Sequence, residues 1–320
     1  MMISTYLLLV IGFALLIKGA GWLVDGSASL AKKFNVSTIV IGLTVVAFGT
    51  SAPELIVNIL ASAKGTTDLA IGNVLGSNIS NVLLILGISA AIYPLTLKKN
   101  TIYKEIPLTL LAVIVLAFMA NDQLLDHTKT SMLSRTDGLI LMMFFAIFLY
   151  YTYSISKKRD EDKPRTIKEY SAKLSLMMLI GGLLGLTLGG KWIVDSAVQI
   201  AQSLRVSEAL IGLTIVAIGT SLPELATSAV AALKKQPDIA VGNIVGSNIF
   251  NIFWVLGLSA TIKPLPFSLK LNFDIAVVAG ASLLLLLSIF IGKKHILQRR
   301  EAVIFLILYA SYIAYLINRG

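Results

Sequence analysis

The sequence predicts an all-α membrane protein with ten transmembrane helices, arranged as two inverted five-helix repeats. Its 320 residues are 56% hydrophobic and only 14% charged, and its mean hydropathy of +0.85 is typical of a membrane protein with many spans. A spanning helix needs about 20 apolar residues. Such runs can be drawn at residues 3–31, 38–63, 69–93, 105–121, 137–155, 173–203, 208–233, 239–262, 274–292 and 302–317.

The second half of the chain repeats the first at a spacing of 170 residues. Residues 36–95 align with residues 206–265 without a gap, and about half of the aligned positions are identical, which indicates an internal duplication. Weaker similarity reaches Trp22 and Asp25, which align with Trp192 and Asp195. Because each half carries an odd number of helices, the second half is expected to enter the membrane in the opposite orientation, as in many secondary transporters.

A charged segment divides the two halves. Residues 156–171 are rich in Lys, Arg, Asp and Glu and contain Pro164, which favours a solvated linker on the cytoplasmic side. The predicted domains are therefore a first repeat at 1–155, this linker, and a second repeat at 172–320. No further domain is expected.

The distribution of basic residues predicts the orientation. Although the net charge is +10, eighteen of the 27 Lys and Arg residues fall in loops after odd-numbered helices, seven lie on the opposite face, and Lys18 and Lys191 lie within helices. By the positive-inside rule, both termini are extracellular and the chain is a multi-pass protein of the cell membrane. The first run lacks a basic flank and a cleavage site, so we interpret it as helix one rather than a removable signal.

The most informative motif is a hexapeptide that places a carboxylate within an apolar run. It runs from Gly49 to Glu54 in the second run and from Gly219 to Glu224 in the seventh. Charges at bilayer depth are costly and usually mark an ion or substrate path. The proline in each copy removes a helical N–H donor, which predicts a broken helix with freed carbonyl oxygens.

Polar side chains accompany each carboxylate. Thr50 and Ser51 lie four and three residues before Glu54, on the same face of a helix, and Thr220 and Ser221 do the same for Glu224. The third and eighth runs add two further pairs at a spacing of four, with a glycine stripe that favours close helix packing. These pairs are Ser77 with Asn81 and Ser247 with Asn251.

These residue types favour a hard cation. Ca²⁺ takes six to eight oxygen ligands, whereas transition metals prefer His or Cys. The chain has no cysteine, and its histidines, His127 and His295, fall in predicted loops. Asn73, Asn78, Asn243 and Asn248 lie nearby, but they are as suited to bonding the backbone of the broken helices as to contacting an ion, so we leave them outside the predicted site.

At these motifs the chain resembles the Na⁺/Ca²⁺ exchanger family of the cation/Ca²⁺ exchanger superfamily, in its compact prokaryotic form. The family's repeats contain Gly-[Ser/Thr]-Ser-x-Pro-[Glu/Asp] and, downstream, Gly-Ser-x-x-x-[Asn/Asp]. Here these motifs read 49–54, 76–81, 219–224 and 246–251. The resemblance implies a secondary antiporter, not an enzyme, that exchanges Na⁺ for Ca²⁺ through one central site by alternating access, without a cofactor.

The resemblance also implies a ligand set. Glu54 and Glu224 would bind Ca²⁺ with backbone carbonyls around Thr50 and Thr220, while Asn81 and Asn251 match the middle positions. Some relatives carry Asp in place of Asn251, which puts a K⁺ requirement in doubt. One flanking Na⁺ site matches Ala47, Thr50, Ser77 and Glu54, and the other matches Ala217, Thr220, Ser247 and Glu224.

Other functions are weighed against this interpretation. An H⁺/Ca²⁺ exchanger of the same superfamily would resemble Gly-Asn-x-x-Glu at the first motif, and a cation channel would also use acidic residues. An intramembrane enzyme lacks an evident base and nucleophile. The expected partners are Na⁺, Ca²⁺ and the lipid bilayer, with no nucleic acid and a monomer as the working unit. Helices one and six, the longest runs, are candidate gates.

Overall fold

A computed structural model describes residues 2–64, 67–157, 168–204, 217–291 and 294–319. Within these ranges the chain is helical apart from two short β-ribbons. The helices are α1 (Met2–Lys33), α2 (Thr38–Thr50 and Ala52–Lys64), α3 (67–92), α4 (Thr101–Met119), α5 (Arg135–Ser156), α6 (Ala172–Ser203), α7 (Ala217–Gly219 and Leu222–Leu233), α8 (Pro237–Ile262), α9 (Asn272–Ser288) and α10 (Arg299–Arg319). A short helix, Asp122–Leu125, follows α4.

The helices are long and apolar enough to make this a membrane protein. In the described ranges, eight of them can span a bilayer by length and composition, and the two parts of α2 make a ninth candidate bent by 45°. Leu222–Leu233 in α7 is a shorter apolar helix. The start of the seventh predicted run, residues 208–216, lies outside the described residues.

The central helices differ from the peripheral ones in burial. Of the residues in the most apolar stretch of each helix, 94% are buried in α8 and 72% in α3, but only 28% in α5 and 17% in α10. The peripheral helices expose apolar side chains, as lipid requires. The two helices that carry Ser77, Asn81, Ser247 and Asn251 therefore lie at the centre of the bundle.

Helices α1 and α6 pack against each other through glycine. A Cβ atom at Gly19 would lie 2.8 Å from the carbonyl oxygen of Gly182, and one at Gly182 would lie 2.7 Å from the backbone nitrogen of Leu23. Only glycine permits this approach, since backbone atoms cannot move aside. Hydrogen bonds join the pair near both ends, from Thr5 to Gln199 at 2.8 Å and from Ser175 to Ser29 at 2.9 Å. The two longest helices thus form one packed unit.

Two antiparallel ribbons join loops that are distant in sequence, and the sequence did not predict them. β1 (Leu95–Thr96) pairs with β4 (Ile296–Leu297). β2 (Ser131–Leu133) pairs with β3 (Leu265–Phe267). The loop after α3 is thereby fixed to the loop after α9, and the loop after α4 to the loop after α8.

An ion pair connects α1 to the end of α7. Sequence spacing places Lys18 and Asp25 on one face of the first helix, but Asp25 pairs instead with Lys234, at 2.7 Å. Lys234 also donates to the carbonyl oxygen of Gly21 at 2.9 Å, and Lys18 is exposed. The reason is that the C-terminal end of α7 lies against α1, which brings Lys234 within reach.

Candidate ion-binding site

The second and seventh helices are interrupted at the same motif position. Ser51 separates the two parts of α2 with φ −82° and ψ 5°, and Ser221 has φ −86° and ψ 4° at the start of the second part of α7. The proline two residues later has no N–H to continue the helical bonding. Glycine precedes each break because helix α6 packs there: a Cβ at Gly49 would collide with Leu183, and one at Gly219 with Val194.

The structure brings the two carboxylates into one cluster. Glu54 and Glu224 are each only 1% exposed. The Ser51 hydroxyl, next to the first break, donates to Glu224 Oε1 at 3.0 Å. The predicted pair of acids therefore faces one shared interior region rather than lipid.

Helices α3 and α8 supply matching serines. Ser77 donates to Glu54 Oε1 and Ser247 to Glu224 Oε1, both at 3.4 Å. Ser221 in turn donates to the Ser77 hydroxyl at 3.3 Å. Each carboxylate thus accepts a hydrogen bond from a serine of its own repeat. Ser51 of α2 and Ser221 of α7 donate to residues of the other repeat.

Asn81 and Asn251 lie in wide π-helical turns of α3 and α8. These turns span Ser80–Ile85 and Phe250–Leu256. Turns of this type are rare and concentrate at functional sites. Both asparagines are 1% exposed, so the two turns place amide groups inside the bundle next to the broken helices.

Four oxygen atoms of this cluster are buried without a hydrogen-bond partner in the described part of the chain. They are Glu54 Oε2, Glu224 Oε2, Asn81 Oδ1 and Asn251 Oδ1. Unpartnered buried polar atoms are uncommon and costly in folded proteins. Carboxylate and amide oxygens are the ligands that hard cations prefer. The arrangement fits a Na⁺ or Ca²⁺ ion.

No basic side chain neutralises this cluster among the residues that the structure describes. The ion pairs among the described residues all lie elsewhere. They join Lys32 to Glu169, Lys98 to Asp238, Lys234 to Asp25 and Arg319 to Asp274. Two ionised carboxylates in a bundle interior would be strongly unfavourable without a counter-charge. A bound cation is the counter-charge that this composition allows.

The threonines of the two hexapeptides, and the alanines three residues before them, contact the carboxylates less directly. The Thr50 hydroxyl donates to Asn243 Oδ1 at 2.9 Å, and Thr220 donates to Asn73 Oδ1 at 3.4 Å. The Ala47 carbonyl oxygen accepts from the Ser51 N–H at 3.0 Å and from the Thr50 hydroxyl at 3.3 Å. Ala217 begins the first part of α7, and its side chain lies outside the described residues.

Three polar residues that the sequence did not single out, or left outside the site, support the broken helices. Asn58 donates to the backbone carbonyl of Glu54 at 2.9 Å. Asn243 donates to the carbonyl of Glu224 at 3.3 Å and to Ser228 at 3.0 Å. Asn58 and Ser228 are equivalent in the repeat, and a polar residue at both equivalent positions of an apolar helix is the signal that could have identified them.

The predicted ligand residues are thus largely brought together. Ten of the twelve are buried, Thr220 is half-buried, and only the side chain of Ala217 lies outside the described ranges. The histidines do not contribute: His127 and His295 both lie outside the helices, in loops.

A family comparison matches nearly the whole chain. Residues 4–154 and 174–318 match the model of the family described as sodium/calcium exchanger protein. The two matched ranges correspond to the two halves that the sequence repeat defines.

Individual relatives agree with this match. The sodium/calcium exchanger MaX1 of Methanosarcina acetivorans is 32% identical over 99% of each chain, and the inner membrane protein YrbG of Escherichia coli is 38% identical over 80% of this chain and 79% of that protein. Among solved structures, the sodium-calcium exchanger NCX_Mj soaked with zero Na⁺ and Ca²⁺ is 38% identical, with a TM-score of 0.85 over 99% of this chain and 100% of that one.

Proposed function

Because the chain belongs to the sodium/calcium exchanger protein family, whose members are transporters rather than catalytic enzymes, we propose that it is a secondary antiporter that exchanges Na⁺ for Ca²⁺ through one central site. The observation that carries this proposal is the set of four buried oxygens, contributed by both repeats, that have no hydrogen-bond partner among the described residues. These atoms are where a transported cation would replace its water ligands.

Charge explains how the two ions compete. Two ionised glutamates have a charge near −2, which one Ca²⁺ or two Na⁺ ions would neutralise. A Ca²⁺ ion would lie between Glu54 and Glu224 and take further oxygens from Thr50, Thr220, Asn81 and Asn251. Ser77 and Ala47 on one side, and Ser247 and Ala217 on the other, would complete flanking Na⁺ sites. Ser51 would orient the Glu224 carboxylate directly, and Ser221 would act on Glu54 through the Ser77 hydroxyl.

Alternating access follows from an inverted arrangement of the repeats. We assign ten transmembrane helices to residues 1–155 and 172–320, with a cytoplasmic linker at 156–171. The ribbons support this count. β1 pairs with β4, and β2 with β3, and two loops that are paired in this way lie on the same side of the membrane, with an even number of crossings between them. An even number results for both pairs when α7 is counted as a crossing together with its neighbours.

Membrane orientation is part of the same proposal. The excess of basic residues after odd-numbered helices places those loops in the cytoplasm. Both termini then face the outside of the cell membrane. In this orientation the Asp25–Lys234 ion pair lies on the cytoplasmic side.

Transport into liposomes tests the function directly. Purified protein is reconstituted into proteoliposomes loaded with Na⁺, with K⁺, or with an outward proton gradient, and uptake of radiolabelled Ca²⁺ is measured. The proposal predicts uptake that depends on internal Na⁺ and is lost in Glu54→Gln and Glu224→Gln. Uptake driven by the proton gradient would indicate an H⁺/Ca²⁺ exchanger, and uptake that needs no counter-ion would indicate a channel.

A further inference from the structure

Two asparagines outside the candidate ligand set join the central helices of the two repeats. Asn78 in α3 and Asn248 in α8 occupy equivalent positions in the repeated sequence Gly-Ser-Asn-Ile. They are 0% and 1% exposed. Each contacts the candidate ligand asparagine of the other repeat, Asn251 and Asn81 respectively.

A backbone carbonyl determines how the Asn78 amide is oriented. Asn78 Nδ2 donates to the carbonyl oxygen of Asn248 at 3.3 Å. Since a carbonyl oxygen can only accept a hydrogen bond, the nitrogen of Asn78 must face it. The oxygen of Asn78 therefore points the other way, towards Asn251.

This orientation is passed on to Asn251. Asn251 Nδ2 donates to Asn78 Oδ1 at 3.1 Å, so the nitrogen end of the Asn251 amide is occupied. Its oxygen end is buried and has no partner among the residues described. Asn251 thus presents an oxygen to the interior of the cluster.

Asn81 makes the corresponding amide bond in the other repeat. Asn81 Nδ2 donates to Asn248 Oδ1 at 2.9 Å. Asn81 Oδ1 is likewise buried and unpartnered within the described part of the chain. Two independent bonds therefore engage the nitrogen ends of both ligand amides, and neither amide oxygen has a partner among the residues that the structure describes.

We propose that Asn78 and Asn248 are positioning residues that turn the amides of Asn251 and Asn81 so that oxygen, not nitrogen, faces the transported cation. This inference rests on the proposed function of the same site. An amide that turned its N–H groups inward would supply no ligand and would direct a positive dipole at the ion. The positioning residues do not contact the ion themselves.

The chemistry of amides and carboxylates provides a selective test. A carboxylate has an oxygen at both ends, so it needs no neighbour to select its orientation. Replacing a ligand asparagine by aspartate should therefore remove the dependence on its positioning partner. Only the matched pair should show this effect, Asn251 with Asn78 and Asn81 with Asn248.

The experiment measures equilibrium binding of Ca²⁺ to the purified full-length protein in detergent. Asn78→Leu and Asn248→Leu are each expected to weaken Ca²⁺ binding by about tenfold or more, the usual size for loss of a residue that orients a ligand. Asn251→Asp should restore binding in the Asn78→Leu protein, and Asn81→Asp in the Asn248→Leu protein. The crossed combinations, Asn78→Leu with Asn81→Asp and Asn248→Leu with Asn251→Asp, carry the same added charge and should restore less.

Equal restoration by matched and crossed aspartates would overturn the positioning role, because it would show that added charge alone improves binding. Unchanged affinity in both leucine variants would overturn it as well. If a leucine variant does not fold, the corresponding alanine variant carries the same comparison. The proposed function fails separately, through the absence of Na⁺-dependent uptake by the wild-type protein, and that result does not affect the binding measurement.

Discussion

The two carboxylates of the site differ in their hydroxyl donors: among the described residues, Glu224 Oε1 accepts from Ser51 and Ser247, whereas Glu54 Oε1 accepts from Ser77. Ser51 donates to the Glu224 carboxylate at 3.0 Å, whereas its repeat equivalent Ser221 donates to the Ser77 hydroxyl at 3.3 Å. The bond from Thr50 is 2.9 Å long and that from Thr220 is 3.4 Å. Nearly identical motifs thus take part in different bonds, and in a transporter that works by alternating access such a difference would distinguish one conformation from the other.

An ion pair at the end of α7 is a further contact between helices of the two repeats. Asp25 in α1 pairs with Lys234 at the end of α7. The repeat-equivalent residue of Asp25 is Asp195 in α6, and the repeat-equivalent residue of Lys234 is Lys64. Asp195 is exposed and forms no ion pair with the residues that the structure describes. Both repeats carry these charges in the sequence, and the side chain of Lys64 lies outside the described residues.

Replacing Ser51 or its repeat equivalent Ser221 by alanine should have the largest effect on transport, and it tests directly whether the two halves of the site differ. Ser51→Ala removes a hydrogen bond to a carboxylate, worth about 1.5–3 kcal/mol, whereas Ser221→Ala removes a bond between neutral groups, worth about 0.5–1.5 kcal/mol. We expect the KM for Ca²⁺ to rise about tenfold or more in Ser51→Ala and clearly less in Ser221→Ala. Equal losses would show that the two halves are equivalent during transport.

Substitutions at two adjacent glycines of α6 test whether α1 and α6 form one tightly packed unit. A Cβ at Gly182 would lie 2.7 Å from the backbone nitrogen of Leu23, whereas one at Gly181 would lie 3.7 Å from the Trp22 ring. Both Gly→Ala changes raise helix propensity equally, so their difference isolates packing. Gly182→Ala should lose about 1–3 kcal/mol of stability relative to Gly181→Ala, read as a lower Tm in detergent. Matching Tm values would mean that the helices separate easily.

Reversing the ion pair should have the smallest effect. Asp25→Lys and Lys234→Asp each break a half-exposed pair, and such pairs contribute about 0.2–1 kcal/mol. We expect each single variant to change the rate of Na⁺-dependent Ca²⁺ uptake by less than about fivefold, and the double variant to return it towards the wild-type rate. A double variant that is slower than both single variants would exclude a role for the pair in setting the conformation.

The positions of most helices and of the candidate site could be predicted from the sequence, because the repeat gives each pattern twice. Apolar runs of spanning length predict the helices, and a carboxylate next to a proline within such a run predicts the candidate site. The resemblance to the Na⁺/Ca²⁺ exchanger family is confirmed by the family match over 4–154 and 174–318.

Features that depend on contacts between distant segments could not be predicted. Sequence spacing offered Lys18 as a neighbour of Asp25, but the packing of α7 against α1 supplies Lys234. The repeat marks Asn78 and Asn248 as equivalent, yet only the geometry shows that Asn78 donates to a backbone carbonyl and accepts from Asn251. The difference between the two halves is likewise invisible in a sequence that is nearly the same in both.

The most direct test of the account is the number of Ca²⁺ ions bound per chain in the wild type, Glu54→Gln and Glu224→Gln proteins. Equilibrium binding of radiolabelled Ca²⁺ in detergent gives this number, with Na⁺ as the competitor. If the two glutamates share one ion, the wild type binds one Ca²⁺, Na⁺ displaces it, and either substitution abolishes binding. Two bound ions in the wild type, with one lost in each variant, would contradict a single shared site.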